Sequence, residues 1–160
     1  MAESALTHLN AKGEAHIVDI GDKAVTRRRA VAQARVVAEP ATVTAIFGGT
    51  LGKGDALAVA RVAGIMAAKK TAELIPLCHP IPLTKVSVDI EAEGDTHIVV
   101  RATAETTAQT GVEMEALVAA STAALTLYDM AKAIDRAMSI TDLCVLEKSG
   151  GKSGAFVRTP

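Results

Sequence analysis

Three groups of residues in this chain have types and spacings that suit chemistry. In Tyr128-Asp129-Met130-Ala131-Lys132, a carboxylate and an ammonium stand three positions apart. On a helix that spacing puts both on one face, where burial and a neighbouring charge can tune an acid–base pair. The same spacing also describes a surface ion pair of little worth. The flanking Ala131, Ala133 and Ile134 are apolar and favour the first reading. In Leu77-Cys78-His79, the prolines Pro76, Pro80 and Pro82 restrict the backbone and fix where the imidazole points. A His held this way suits binding or catalysis and also suits a hydrogen bond inside its own loop, so both readings stay open. Cys78 and His79 have no partner pair at a zinc spacing, so no metal site is expected.

The third group is a scatter of cations, Arg28, Lys53, Lys69, Lys148 and Lys152. Lys53, in Gly52-Lys53-Gly54-Asp55, precedes an expected helix start, where free amides and the helix dipole favour a phosphate. GTLGKGD lacks the spacing and the Ser/Thr of a Walker loop. The SGGKSG run at 149–154 has the glycine content of an anion-cradling loop and also of a mobile, solvated turn.

The elements that must position these groups follow from periodicity. Residues 27–38 alternate as a half-buried strand, with Ala30, Ala32, Ala34 and Val36 on one face and Arg29, Val31, Gln33 and Arg35 on the other. Pro40 permits a short helical turn to Phe47. Asp55 is the expected N-cap of a helix reaching about Leu74, on which Leu57, Ala60, Gly64, Ala67 and Thr71 recur at helical spacing. Residues 83–93 alternate strongly and turn at Gly94-Asp95 into a second strand over 96–105, a hairpin. Thr110 and Glu113 match a capping box that opens a helix to about Met138. A strand over 139–147 closes the pattern. The order strand, helix, strand, strand, helix, strand predicts an α+β, ferredoxin-like sandwich, β-α-β-β-α-β, with an antiparallel sheet and two long helices on one face.

Composition bounds the rest. With 160 residues, half of them hydrophobic, one domain with a real core is expected across the chain, with residues 1–25 a loosely ordered arm. A net charge of −1 argues against a nucleic-acid partner while allowing a local anion site. Two cysteines make no disulfide framework, the N-terminus lacks the pattern of a signal peptide, and uncharged runs are too short for a membrane span. A cytoplasmic protein is expected. The 31 alanines and 2% aromatic content require close backbone approach and suggest burial completed in an oligomer.

Glu113-Met114-Glu115 opens the second long helix, and Glu115 lies 14 residues before Asp129, about 21 Å along the axis. One small site within one subunit cannot readily use both. At this point a wider likeness is visible. LTHLNAKGEAHIVDI at 6–20, KGDALAVARVAGIMAAKKT at 53–71, LIPLCHPIPLTKV at 74–86, TGVEMEALVAASTAALTLYDMAKAIDRAM at 110–138 and EKSGGKSG at 147–154 resemble the cyclic pyranopterin monophosphate synthase family of molybdenum cofactor biosynthesis. The resemblance implies a ferredoxin-like subunit in a homohexamer, a trimer of dimers with active sites between subunits. It implies a lyase that converts a cyclised dihydroguanosine triphosphate to cyclic pyranopterin monophosphate with release of diphosphate. No metal or organic cofactor is expected to supply the chemistry, although Mg²⁺ could accompany the triphosphate. By motif match, Asp129 and Lys132 correspond to the catalytic pair and Lys53 to a further acid–base or phosphate contact. Leu77, Cys78, His79, Glu113, Met114 and Glu115 correspond to substrate-binding positions, and Arg28, Lys69 and Lys148 to phosphate ligands. Arg29, Ala131 and Ala155 depart from the family's usual residues, and the extra charge of Arg29 bears on the role of Arg28. The alternatives to a lyase are a nucleotide-sensing module without catalysis and a purely structural oligomer.

Overall fold

The computed structural model describes residues 8–159. Residues 1–7 of the expected arm lie outside the described residues. The first strand, β1 (Thr26–Val37), is central, pairing antiparallel with two neighbours. Its Ala30, Ala32, Ala34 and Val36 are fully buried, as the alternation predicts. Two short register shifts on its β4 side show where the sheet bends.

Pro40 opens α1 (Pro40–Phe47), and Asp55 caps α2 (Ala56–Ala68) by accepting from the Ala58 amide at 2.9 Å. The expected helix to Leu74 is in fact two. It stops at Ala68, whose carbonyl oxygen accepts from the Thr71 hydroxyl at 2.9 Å, and resumes as the single turn α3 (Thr71–Leu74). A side-chain hydroxyl that bonds a helix carbonyl offers the backbone an alternative to the next helical turn.

The hairpin of β2 (Lys85–Glu93) and β3 (His97–Ala108) has the expected inward faces, Val88 and Ile90 on one strand and Ile98 and Val100 on the other. Its turn is one residue longer than expected, 94–96, with Gly94 at φ +67°. The helix α4 (Glu113–Ala131) starts and stops differently from its prediction. Its N-cap is Val112 without a side-chain bond, so the Thr110–Glu113 capping box does not form. The Glu113 carboxylate folds back against Gly111 and lies 4.0 Å from Lys148 instead. The helix ends at Ala131, not Met138, and Lys132 is its C-cap.

The chain finishes with β4 (Ser139–Ser149) and a two-residue β5 (Phe156–Val157). The sheet order is β2-β3-β1-β4-β5, antiparallel throughout. With α2 and α4 packed on one face, this is the ferredoxin-like α+β sandwich, with α1, α3 and β5 added. The two long helices touch at Gly64, where a Cβ would stand 2.8 Å from the Ala119 carbonyl oxygen and 3.0 Å from Val88. The alanines of α4, Ala116, Ala119, Ala120, Ala123 and Ala124, are fully buried and admit this approach. Among the described residues, no helix is long and apolar enough to cross a membrane.

Candidate active site

The fold sets two groups of polar residues at opposite ends of α4. At its C-terminal end, Lys132 Nζ lies 2.7 Å from Asp129 Oδ1, and Lys53 Nζ lies 2.9 Å from Oδ2. Lys53 also donates to the Asp129 main-chain carbonyl at 2.9 Å. That carbonyl belongs to the last turn, where a helix leaves its carbonyls without amide partners and its dipole favours a cation. Lys53 reaches it from the glycine-flanked turn before α2, so the Lys53 expected near a helix N-terminus in fact serves a helix C-terminus. The hydrogen bond from Lys132, followed by that from Lys53, holds the Asp129 carboxyl down at about 2. The same bond raises Lys132 above its ordinary value. All three side chains remain about half exposed and accessible to a ligand.

At the N-terminal end of α4 lie two contiguous clefts that share Lys23, Thr110, Gly111 and Glu113. The first, of 750 Å³, carries Lys23, Arg28, Lys148 and Lys152 against Asp22 and Glu113, with Arg29 also in its lining but paired to Glu147. Such a surplus of cations can hold a polyanion. Arg28 donates to the carbonyl oxygens of Ala108 at 3.4 Å and Gln109 at 3.2 Å, and its guanidinium lies directly against Gly151. A Cβ at Gly151 would overlap that guanidinium, and one at Gly150 the Arg27 carbonyl. Gly150 and Gly151, both with positive φ, let the SGGKSG loop close onto β1. Lys148 also bonds the Ser153 hydroxyl across the loop. Arg29 is neutralised by Glu147 at 2.8 Å, with Glu105 at 3.8 Å, so its departure from the family's usual acid adds little charge beside Arg28.

The second cleft, of 460 Å³, is walled by Val18, Ile20, Ile75, Leu77, Ile81 and Met114 and holds Cys78, His79 and Glu115. The proline-bounded loop that bears Cys78 and His79 is pinned where Thr106 donates to the Pro82 carbonyl at 2.6 Å and Thr84 to that of Glu105 at 3.0 Å. His79 Nε2 donates to the Val18 carbonyl at 2.7 Å. The loop hydrogen bond and the place in a cleft, left open as alternatives by the sequence, are both present. Glu115 is 4% exposed, and burial pushes its carboxyl up to about 7, with the charge of Glu113 adding to the rise. A carboxyl titrating there can give or take a proton near neutrality. Burial, then the nearby Glu115, raises the Cys78 thiol, which is therefore no activated nucleophile.

The structure thus brings Lys53, Asp129 and Lys132 together. It separately joins Arg28, Lys148 and Glu113 to Leu77, Cys78, His79, Met114 and Glu115 through the linked clefts. Lys69 caps the end of α2 and lines neither cleft. Lys23 is a cleft residue that sequence reasoning missed, because it lies in the stretch expected to be loose. Among its described residues, Leu9 bridges Ala15, Gln109 donates to the Gly21 carbonyl at 2.9 Å, and Val18 accepts from His79. The usable signal was Asp19-Ile20-Gly21, whose Asp19 carboxylate caps the Gly21 amide at 2.8 Å and starts a turn. Among the described residues, no three His, Cys, Asp or Glu side chains converge as metal ligands.

A ferredoxin-like sandwich with a Lys–Asp–Lys cluster and a cationic cleft beside a carboxylate pocket defines an α+β domain whose charges and titratable groups suit a phosphorylated, proton-exchanging ligand. The family is given by comparison: the model described as the MoaC family matches residues 17–151, and the chain belongs to that family. Three relatives carry the name cyclic pyranopterin monophosphate synthase. That of Herpetosiphon aurantiacus is 59% identical over 94% of this chain and 93% of its own. That of Dinoroseobacter shibae is 57% identical over 96% of this chain and 98% of its own, and that of Thermomicrobium roseum 57% over 99% and 95%.

Proposed function

We propose that this chain is a lyase that converts the cyclised dihydroguanosine triphosphate to cyclic pyranopterin monophosphate and diphosphate, the step for which its relatives are named. The observation that carries the reading is the Lys53–Asp129–Lys132 cluster, set within a chain 57–59% identical to those relatives. A triphosphate that loses diphosphate and ends as a cyclic monophosphate needs a substrate hydroxyl to displace diphosphate at the α-phosphorus. That step builds negative charge on the leaving group, and fixed cations lower its barrier. Rebuilding the purine-derived ring needs proton donors and acceptors beside it.

In this reading Lys132, kept protonated by Asp129, is a proton donor, and Asp129 is the group that holds the proton there. Lys53 is a second acid–base group or a phosphate contact. Arg28 and Lys148 bind phosphate, with Lys23 and Lys152 adding charge in the same cleft, whereas Lys69 stands outside it at the end of α2 and takes no phosphate from this cleft. Leu77, Cys78, His79, Glu113, Met114 and Glu115 hold the ring system. Side chains supply these roles without a metal or organic cofactor, and Mg²⁺ on the triphosphate is compatible with them.

Glu115 and Asp129 stand 14 residues apart on one straight helix, about 21 Å. A complete site then draws Lys53, Asp129 and Lys132 from one subunit and the clefts from another, in a homohexamer arranged as a trimer of dimers. One domain spanning 1–160 and a cytoplasmic setting, without nucleic-acid or membrane partners, complete the proposal. The test is to mix the protein with the cyclised substrate and measure diphosphate. Release supports the lyase, whereas binding without release would replace it with a nucleotide sensor.

A further inference from the structure

The two lysines that Asp129 bridges come from distant parts of the chain, 79 positions apart, and something must hold those parts in register. Lys132 begins the turn that follows α4. In this turn the Ile134 and Asp135 amides both donate to the Ala131 carbonyl, at 2.9 and 3.1 Å, and the Tyr128 hydroxyl donates to the Arg136 carbonyl at 3.4 Å. Lys53 ends the segment that starts at Glu39, the N-cap of α1, and continues through the buried Ile46 and Leu51 to the turn closed by the Gly54 amide on the Leu51 carbonyl, 3.1 Å. One side chain links the two segments. Asp135, 6% exposed, accepts from the Ala137 amide through Oδ1 at 3.1 Å and from the Glu39 amide through Oδ2 at 2.9 Å.

We propose that Asp135 is a positioning residue for the reaction: its buried carboxylate clamps the turn bearing Lys132 to the start of the segment bearing Lys53, and so sets the spacing of both ammoniums about Asp129. Asp135 touches neither lysine and acts through the backbone. A carboxylate suits the place because it alone offers two acceptors and no donor to two amides. The clamp matters for rate because small misplacements of reacting groups are costly, up to about 100-fold for about 1 Å.

The test is Asp135→Asn, which turns an NH₂ group toward one of the two amides. The inference rests on the lyase reading, so two readouts are taken. In turnover, kcat for diphosphate release should fall about 10- to 100-fold while KM stays within about threefold. In carbon-detected NMR, the Asp129 carboxyl should titrate closer to the ordinary aspartate range of about 3.9, because its partners Lys132 and Lys53 are no longer held at contact. The other charged and titratable groups near Lys132, Tyr128 and Arg136, are unchanged by the substitution. Val88→Ala, a core cavity remote from the cluster, serves as the control for lost stability alone and should leave the Asp129 titration in place. An Asp129 titration unchanged in Asp135→Asn, or moved equally by Val88→Ala, overturns the proposal. If Asp135→Asn does not fold, Asp135→Glu is read against the same criteria. If even the unaltered protein releases no diphosphate, the lyase reading fails, and the titration still decides the clamp.

Discussion

Lys53 Nζ is 2.9 Å from Asp129 Oδ2 and 2.9 Å from the Asp129 carbonyl oxygen, so one ammonium grips a side chain and the end of the helix that carries it. Lys132 takes the remaining carboxylate oxygen at 2.7 Å. The cluster has two cations for one anion and keeps a net positive charge after its internal pairing. An arriving phosphate therefore finds attraction rather than a neutral patch.

Removing any member should stop turnover without dismantling the subunit, because all three side chains are half exposed. Asp129→Ala, Lys132→Ala and Lys53→Ala are each expected to lower diphosphate release by about 10²- to 10⁴-fold, the range for a lost acid–base or charge-stabilising group. Size-exclusion elution should match the unaltered protein. Normal turnover by the Asp129 or Lys132 variant would sink the assignment.

Stability should depend on pH in two separate windows. The Glu115 carboxyl titrates at about 7 in the fold and at about 4.3 when unfolded, so its raised value favours the fold most below about pH 4.3. Between there and about pH 7 the unfolded chain sheds its proton first, and that contribution drains away, by about 4 kcal/mol in all. Glu115→Gln should flatten this fall in chemical denaturation curves. Asp129 has the opposite sign: its lowered value helps above about pH 3.9, and the benefit is lost as pH falls toward about 2. Asp129→Asn should remove that acid limb and leave the neutral one.

Gly151→Ala tests whether the glycine-rich loop shapes the cationic cleft. The new methyl group would displace the Arg28 guanidinium, and the residue would sit at a positive φ that alanine resists. The expected result is a KM raised roughly tenfold, equivalent to about 1.4 kcal/mol of binding. The thermal midpoint should move by only a few degrees. An unchanged KM would show that the loop's path is irrelevant to the ligand.

If sites form between subunits, two inactive variants should rescue each other. Lys132→Ala damages the cluster at one end of α4, and Glu115→Gln the pocket at the other. Unfolded together and refolded as a mixture, they should form some sites that lack neither group and regain a fraction of the original diphosphate release. No recovery in mixed assemblies verified by mass spectrometry would assign each site to one chain.

Local signals carried much of this structure. The alternation of β1, the hairpin and the Asp55 cap are set by neighbours in sequence, and each stands where periodicity or cap chemistry put it. The end of α4 was not readable in this way. Residues 132–138 contain no Gly or Pro and continue an apolar pattern, while the bonds that turn the chain there include one to Glu39, 96 positions away. The capping box does not form: Val112 takes the N-cap place, and the Glu113 carboxylate lies 4.0 Å from the distant Lys148. In the site, Asp129 with Lys132 was legible from an i, i+3 spacing. Their union with Lys53 spans 76 positions and needed the fold. Lys23 escaped because its stretch is polar, and the long-range bonds from His79 and Gln109 that help to hold it are not visible in the local sequence.

The seam between α2, α4 and the sheet is made largely of alanine methyl groups and one glycine. Such a seam buries less hydrocarbon per residue than one of leucine and phenylalanine, and exposed hydrocarbon is what raises the heat capacity on unfolding. Calorimetry should therefore give a heat-capacity increment below the usual ~12–15 cal/mol/K per residue. The stability curve that follows is a broad, shallow dome, so this protein should lose its hold slowly on warming and be slow to denature in the cold.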